Sequence, residues 1–379
     1  MLIIPKNELS GEMVRQAVET LLNEHLKLDM AGYKCTTSVV LNVVVKAAVE
    51  RQTIESVCSE LVVPVNSDTI RTQVKRGLAG YEVRTLEAAV NNGLAACLPA
   101  ELPRRGCEMA LDWHDEPFYG QAGEARACAC RGKAKEGTTH FYRVASLYVM
   151  WRQVRLTLAL TFVLPTDTTE AVVRRLADRR QALVFQPSVI YLDKGFCSGP
   201  VIRYLTEAHR PAVIACPVRG KQGGTRALCV GRDAYCTHYP FTDQTLTWLA
   251  LVPTHVPDRT GRRHRQWLAF VVIHLDWAAR TVYDRYRRRF AIESSYRQFD
   301  RLHPRTTMNA PLVRFFFLAL GLLLLNIWVW LRWGATRLIA RGPARWTPHT
   351  FRLHRFIAFL RRAIEKAFGT LDSFSIYSW

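Results

Sequence analysis

The 379-residue chain is long enough for two or three domains of about 100–200 residues each. With 49% hydrophobic and 22% charged residues, it is neither wholly disordered nor fibrous. Lys and Arg number 52 against 32 acids, a formal charge of +20 that is unevenly spread. Residues 1–100 hold 10 basic and 11 acidic side chains, and residues 101–250 hold 20 and 14. Residues 251–300 hold 10 and 5, and residues 301–379 hold 12 and 2. A polyanion such as DNA or RNA is the natural partner of that gradient, with an anionic membrane surface as the competitor.

The opening stretch Met1–Lys6 lacks the charged start and long apolar run of a signal peptide. Residues 8–100 then place apolar side chains at helical spacing and read as a helical domain, 1–100. Inside it lies a candidate helix-turn-helix. Thr53–Leu61 forms the first helix, Pro64 breaks it, and Asn66 or Ser67 caps a second helix over Asp68–Arg76. If that second helix reads DNA, Arg71 and Lys75 are its cations; a plain helical pair is the alternative.

After Pro103 the pattern changes to strands. Cys107–Asp112 is a short apolar run ending in a carboxylate, and Tyr142–Trp151 and Val154–Leu164 form a candidate hairpin about Arg152-Gln153. Thr168–Leu183 reads as helix and Ser188–Asp193 as a buried strand again ending in Asp. A helix to about Ala208 and a strand Ala212–Cys216 follow. This is a layered α/β order, with the first and fourth strands neighbours if the sheet is mixed. From about 218 to 277, Gly- and Arg-rich turns alternate with apolar runs, which reads as a strand-rich insertion. A long helix begins near Arg280, and an apolar helix spans roughly Pro311–Trp333. Its segment Phe315–Leu331 is slightly short for a membrane span and is interrupted by Asn326, so a buried core helix is expected. A basic amphipathic helix, Phe351–Phe368, ends the pattern.

Of the ten cysteines only Cys128 and Cys130 are close-spaced, and no second pair completes a zinc pattern. Buried or incidental thiols in a reducing cytosol are expected. The chemistry lies in the carboxylates. Asp112 and Asp193 end apolar strands, where α/β active sites collect, and Glu293 sits within a helix. Acids converging on one point repel unless a divalent cation neutralises them, and hard oxygen ligands suit Mg²⁺ or Mn²⁺. Asp115 and Glu116 compete with Asp112 for the first position, which goes to Asp112 because the apolar run ends there. Tyr286, Arg289, Glu293, Arg297 and Asp300 share one helix face, so Glu293 can hold metal while the arginines grip phosphates. In the insertion, the basic turn with Arg262, Arg263 and Arg265 is placed to meet phosphate. Trp248 and Trp267 are core residues or a stacking platform for an extruded base.

Tyr286, Arg289 and Glu293 fit the spacing Y-x₂-R-x₃-E, and Asp193-Lys194-Gly195-Phe196 follows a strand as Asp, basic residue, Gly, aromatic. With Leu111-Asp112 and Gly137–Ala145 as further strand matches, residues 105–335 resemble the DDE transposases of bacterial and archaeal insertion sequences. The likeness is to the branch with a strand-rich insertion before its third acid. That signature ends in Lys, a position held here by Asp300; Arg297 or Arg301 is available to substitute. The resemblance implies a ribonuclease-H-like mixed sheet in a catalytic domain 101–335, followed by a basic helical tail 336–379. It implies Asp112, Asp193 and Glu293 as catalytic ligands of two Mg²⁺ or Mn²⁺ ions, with Tyr286, Arg289 and Arg297 positioning DNA. The activity implied is DNA cleavage and strand transfer between transposon ends and target DNA, by a homodimer in the cytoplasm rather than at a membrane. A nuclease of the same fold, or a catalytically decayed DNA-binding protein, are the alternatives.

Overall fold

The computed structural model describes residues 8–33, 35–121, 123–151, 154–220, 223–241, 243–257, 261–290, 302–339 and 351–371. Contacts divide the chain into two units. One comprises residues 1–101, 116–142 and 295–379, the other residues 102–115 and 143–294.

The first unit is mainly helical. Its helices are α1 (Gly11–Leu26), α2 (Thr37–Glu50), α3 (Ile54–Glu60), α4 (Ser67–Ala79) and α5 (Val83–Ala96). Hydroxyl and amide side chains start four of them: Ser10, Thr36, Thr53 and Asn66 each accept a backbone N–H three residues on. The expected helix pair is therefore present as α3 and α4, with Asn66 as the cap. Its connection is braced from far along the chain, since Val62 N–H donates to Gly369 O and Leu371 N–H donates to Glu60 O.

Two C-terminal helices complete this unit, labelled here α11 (Pro311–Ile339) and α12 (Leu353–Phe368). Helix α11 is long and apolar enough to cross a membrane, yet 89% of its most apolar window is buried by the protein. It packs against α1, α2, α4 and α5, which supply the all-round apolar surroundings that such a helix requires. Buried Asn326 donates to Leu94 O at 3.4 Å, and Trp328 Nε1 donates to Phe351 O at 2.8 Å. The core-helix reading is thus met, but the expected boundary at 335 is not. Residues 311–333 group with the N-terminal helices rather than with residues 143–294, because the N-terminal helices are what cover their apolar surface.

The second unit is built on a mixed sheet, of which residues 116–117, 130–135 and 138–142 fall within the bounds of the first unit. The strands are β1 (Glu108–Pro117), β2 (Cys130–Lys135), β3 (Thr138–Trp151), β4 (Val154–Val163), β5 (Val189–Leu192), β6 (Ala212–Cys216), β7 (Tyr235–Pro240), β8 (Leu246–Pro257) and β9 (Arg263–Ile273). Their order is β2-β3-β1-β5-β6-β9-β8-β7, with β4 also paired to β3. Strands β1, β5 and β6 run parallel, and their continuous apolar runs are buried as such strands require. The helices along the chain are short α6 (Glu124–Ala127), then α7 (Thr169–Ala182), α8 (Gly199–Glu207), short α9 (Gly224–Ala227) and α10 (Ala279–Phe290). The insertion does contain strands, and β9 pairs antiparallel with β6, so they extend the sheet rather than form a separate one. All ten cysteines are free thiols, and burial pushes Cys58 and Cys107 up to about 11.

One ionic cluster ties the helical unit together. The Lys46 side chain is 1% exposed, and its Nζ lies 2.8 Å from Glu50, 3.1 Å from Glu365 and 3.2 Å from Glu60. Burial works against its charge, but hydrogen bonds and charges from Glu50, Glu365 and Glu60 outweigh it and raise its pKa. Lys46→Met, which keeps the volume and removes the charge, is expected to cost about 3 kcal/mol in urea unfolding at pH 7. A raised folded-state pKa means that this advantage is fully present below pH 10.5 and fades as pH rises beyond it. Equal stabilities of the two proteins at pH 7 would show that the cluster contributes nothing.

Candidate active site

The parallel pairing of β1 with β5 ends at Leu111 opposite Leu192; the next residue along β1 is Asp112, and Asp193 follows directly after the end of β5. Two carboxylates are thereby set at adjacent positions in register, on strands about 4.8 Å apart. Asp112 does not end its strand, as the apolar run suggested; β1 continues to Pro117 because it keeps β3 as a neighbour after β5 has stopped. The Asp112 side chain is 16% exposed and Asp193 is 35% exposed. Asp112 Oδ1 also accepts the N–H of Trp113 at 3.0 Å, which restricts the carboxylate's rotation.

Helix α10 presses its apolar side, Ala279, Val282 and Tyr286, into a core shared with Ala110, Tyr191, Val213 and Phe270. Tyr286 meets Tyr191 edge to face at 5.9 Å, and its hydroxyl donates to Leu192 O at 3.1 Å. One turn later the buried guanidinium of Arg289 donates to the Tyr286 oxygen at 2.6 Å and to Asp112 Oδ1 at 3.2 Å. Its Nη1 lies 3.6 Å from Asp193 Oδ1. Burial opposes the Arg289 charge, but Tyr286, Asp112, Tyr148 and Asp193 together outweigh it and shift its pKa upward. Burial foremost also pushes the Tyr286 hydroxyl well above the ordinary tyrosine range, so it stays protonated and donating.

A second link joins the two acids. Trp113 follows Asp112, Phe196 lies three residues after Asp193, and their rings stack at 4.2 Å with a 7° interplanar angle. Arg143 sits over the same indole at 5.5 Å. The close stack explains the glycine of Asp193-Lys194-Gly195-Phe196, since a Cβ at Gly195 would lie 2.6 Å from Trp113 Nε1. Beside Asp193 opens a cavity of about 700 Å³ whose lining includes Lys194, Arg226, Arg265, Trp267 and Tyr286.

The sequence-predicted residues fall into three groups. Asp112, Asp193, Tyr286 and Arg289 are brought together. Tyr286 and Arg289, expected to grip phosphate, are instead buried with their polar atoms turned toward the acids, because the apolar side of α10 faces the sheet. Glu293 and Arg297, with Asp300 and Arg301, lie outside the described residues. The remaining cations are exposed: Arg262, Arg263 and Arg265 at the start of β9, with Arg265 also lining the cavity beside Asp193, and Lys75 on α4. Arg71 is engaged by Asp68 and Glu55. The competing acids are engaged elsewhere. Asp115 binds Arg143 at 2.6 Å, and buried Glu116 meets His303 at 2.7 Å. Trp267 is partly buried under Arg265 at 5.0 Å and beside Tyr235, and Trp248 packs on His238. Sequence reasoning missed Trp113 and Arg226; the signal for Trp113 was its place directly after the first acid.

The donor set suits a hard divalent cation, because Asp112 and Asp193 offer carboxylate oxygens at neighbouring positions. Among the described residues no three His, Cys, Asp or Glu side chains converge.

No family model and no curated protein matches the chain. Among solved structures it is similar in fold to a piggyBac transposase in a synaptic complex with hairpin DNA. The TM-score is 0.57 at 10% identity, over 96% of this chain and 81% of that one. At that identity the likeness is one of fold.

The Trp113–Phe196 stack gives a direct test of how the second acid is held. Gly195→Ala is expected to lose about 1–3 kcal/mol in urea unfolding, because the indole has to leave its stack. An unchanged unfolding midpoint would show that Trp113 yields freely and that the glycine serves another purpose.

Proposed function

We propose that this chain is a DDE transposase, cleaving DNA at the ends of an element and transferring the freed 3′-hydroxyl to target DNA. The observation that carries the reading is the placement of Asp112 and Asp193 side by side in register, with a buried arginine between them. The strand order β4-β3-β1-β5-β6, with β1, β5 and β6 parallel and β4 antiparallel to β3, supports a ribonuclease-H-like core. The fold similarity to a transposase whose structure is a synaptic complex with hairpin DNA supports DNA as the partner. The exposed arginines of β9 and the formal charge of +20 point the same way.

In this reading Asp112, Asp193 and Glu293 hold two Mg²⁺ or Mn²⁺ ions. When bound, such ions make a water or hydroxyl nucleophilic and stabilise the leaving oxygen of a phosphodiester. The chain's own residues do the positioning. Tyr286 bonds α10 to the end of β5, which sets that helix relative to Asp193. The Trp113–Phe196 stack fixes the loop after Asp193 against β1. Lys194, Arg226 and Arg265 surround the adjoining cavity with positive charge, where a phosphodiester backbone is attracted and aligned for in-line attack. Two element ends have to be joined, so a dimer bridging them belongs to the same reading.

The test uses purified protein, Mg²⁺ or Mn²⁺, and DNA carrying the ends that flank the gene. Wild type is expected to cut and join, while Asp112→Ala, Asp193→Ala and Glu293→Ala bind the ends but lose both steps by at least about 10³-fold. Cleavage that survives Asp193→Ala or Glu293→Ala would overturn the triad. Cleavage with no joining, even from pre-cut ends bearing a free 3′-hydroxyl, would make the protein a nuclease. Metal-independent binding with no cleavage would make it a decayed DNA-binding protein.

A further inference from the structure

The Arg289 guanidinium occupies the same two carboxylates that a divalent cation would need. It donates to Asp112 Oδ1 at 3.2 Å and lies 3.6 Å from Asp193 Oδ1. It is no loosely placed surface cation: its side chain is 8% exposed, and it is clamped by Tyr286, whose hydroxyl is itself tied to Leu192 O. Two neighbouring carboxylates in a partly dry site repel, and a fixed guanidinium between them relieves that repulsion. The relief has a consequence for an ion arriving from solution, which has to share the two carboxylates with a charge of its own sign already beside them.

We propose that Arg289 is a resident counter-ion that competes with the divalent cation for Asp112 and Asp193, and so couples metal loading to DNA binding. The proposal rests on the metal-dependent reading above. Released from the carboxylates, a guanidinium is a fork suited to two phosphate oxygens. A DNA phosphate that captures it therefore lowers the cost of metal entry. By linkage, metal that displaces Arg289 strengthens phosphate binding by the same factor. The arrangement weakens metal binding in free protein and completes the site only on DNA. Arg289 acts as a positioning residue here, through the carboxylates and the phosphate rather than on the reacting atoms.

The test is calorimetric titration of the full chain with Mn²⁺, with and without a short duplex carrying an element end. Wild type, Arg289→Gln and Arg289→Lys are compared at matched ionic strength. Arg289→Gln is expected to bind Mn²⁺ about tenfold more tightly than wild type without DNA. DNA is expected to tighten Mn²⁺ binding in wild type and to have little effect in Arg289→Gln. Arg289→Lys, which keeps one charge but not the fork, should fall between them and serves if the Gln variant unfolds. Asp193→Asn in the Arg289→Gln background should abolish the gain, which locates it at this site. Equal or weaker Mn²⁺ affinity in both Arg289 variants, with folding intact by circular dichroism, would overturn the coupling and leave the metal site standing. Absence of any Mn²⁺ binding sensitive to Asp112→Asn and Asp193→Asn would overturn the metal reading and the coupling together.

Discussion

Two carboxylates brought to neighbouring positions at the end of a parallel strand pair repel each other by about 3 kcal/mol at roughly 5 Å and an effective dielectric near 20. The pairing of β1 with β5 imposes that arrangement on Asp112 and Asp193, and much of the surrounding structure answers it. Arg289 supplies the compensating charge, Tyr286 holds Arg289, and Leu192, the residue before Asp193, holds Tyr286. The circuit closes on itself, so α10 cannot shift along β5 without disturbing both acids. That is a tighter constraint than apolar packing alone, which would tolerate small slides of a helix over a sheet. Trp113 and Phe196 reinforce it with a contact that joins the residues flanking the same two acids.

The helical unit is organised by a different constraint. Helix α11 is apolar on all sides, so it needs cover from several helices at once, and α1, α2, α4 and α5 provide it. Among them runs the Lys46 cluster, where α2 and the end of α3 meet α12 through charge rather than apolar area. The segment after α12 then pairs with the α3–α4 connection. A helix pair whose turn is held by the far end of the chain is a more rigid element than its local sequence implies.

Where one physical signal dominated, the sequence was readable. Buried parallel strands appear as unbroken apolar runs, so β5 and β6 were found almost to the residue, and Asn66, one of two candidate caps, does start its helix. The two aspartates were legible because they follow such runs. What stayed hidden depended on pairing partners. Nothing local says that β1 continues to Pro117, since the later residues are held in the sheet with β3 as their neighbour. Nothing in residues 218–277 says that their strands join the edge of the main sheet through β6 and β9. Strand β2, polar and mostly exposed, carried no apolar signal at all.

The direction faced by Tyr286 and Arg289 was the least legible feature, and it changes the account of the site. A Tyr, Arg, Arg, Glu stripe looks the same whether it greets solvent or the sheet. Period alone cannot separate those cases, because the same stripe is also flanked by Val282 and Ala279, which are apolar and buried. The cations divide by where they point. Arg289 is engaged inside by the acids, while Lys194, Arg226, Arg263 and Arg265 remain exposed. A buried guanidinium answers to the acids first and to a polyanion only when something takes the acids from it, whereas exposed ones respond directly to phosphate and salt. The net charge of +20 therefore overstates how many cations are poised to meet a polyanion, and the one nearest the acids is also the least free to leave them.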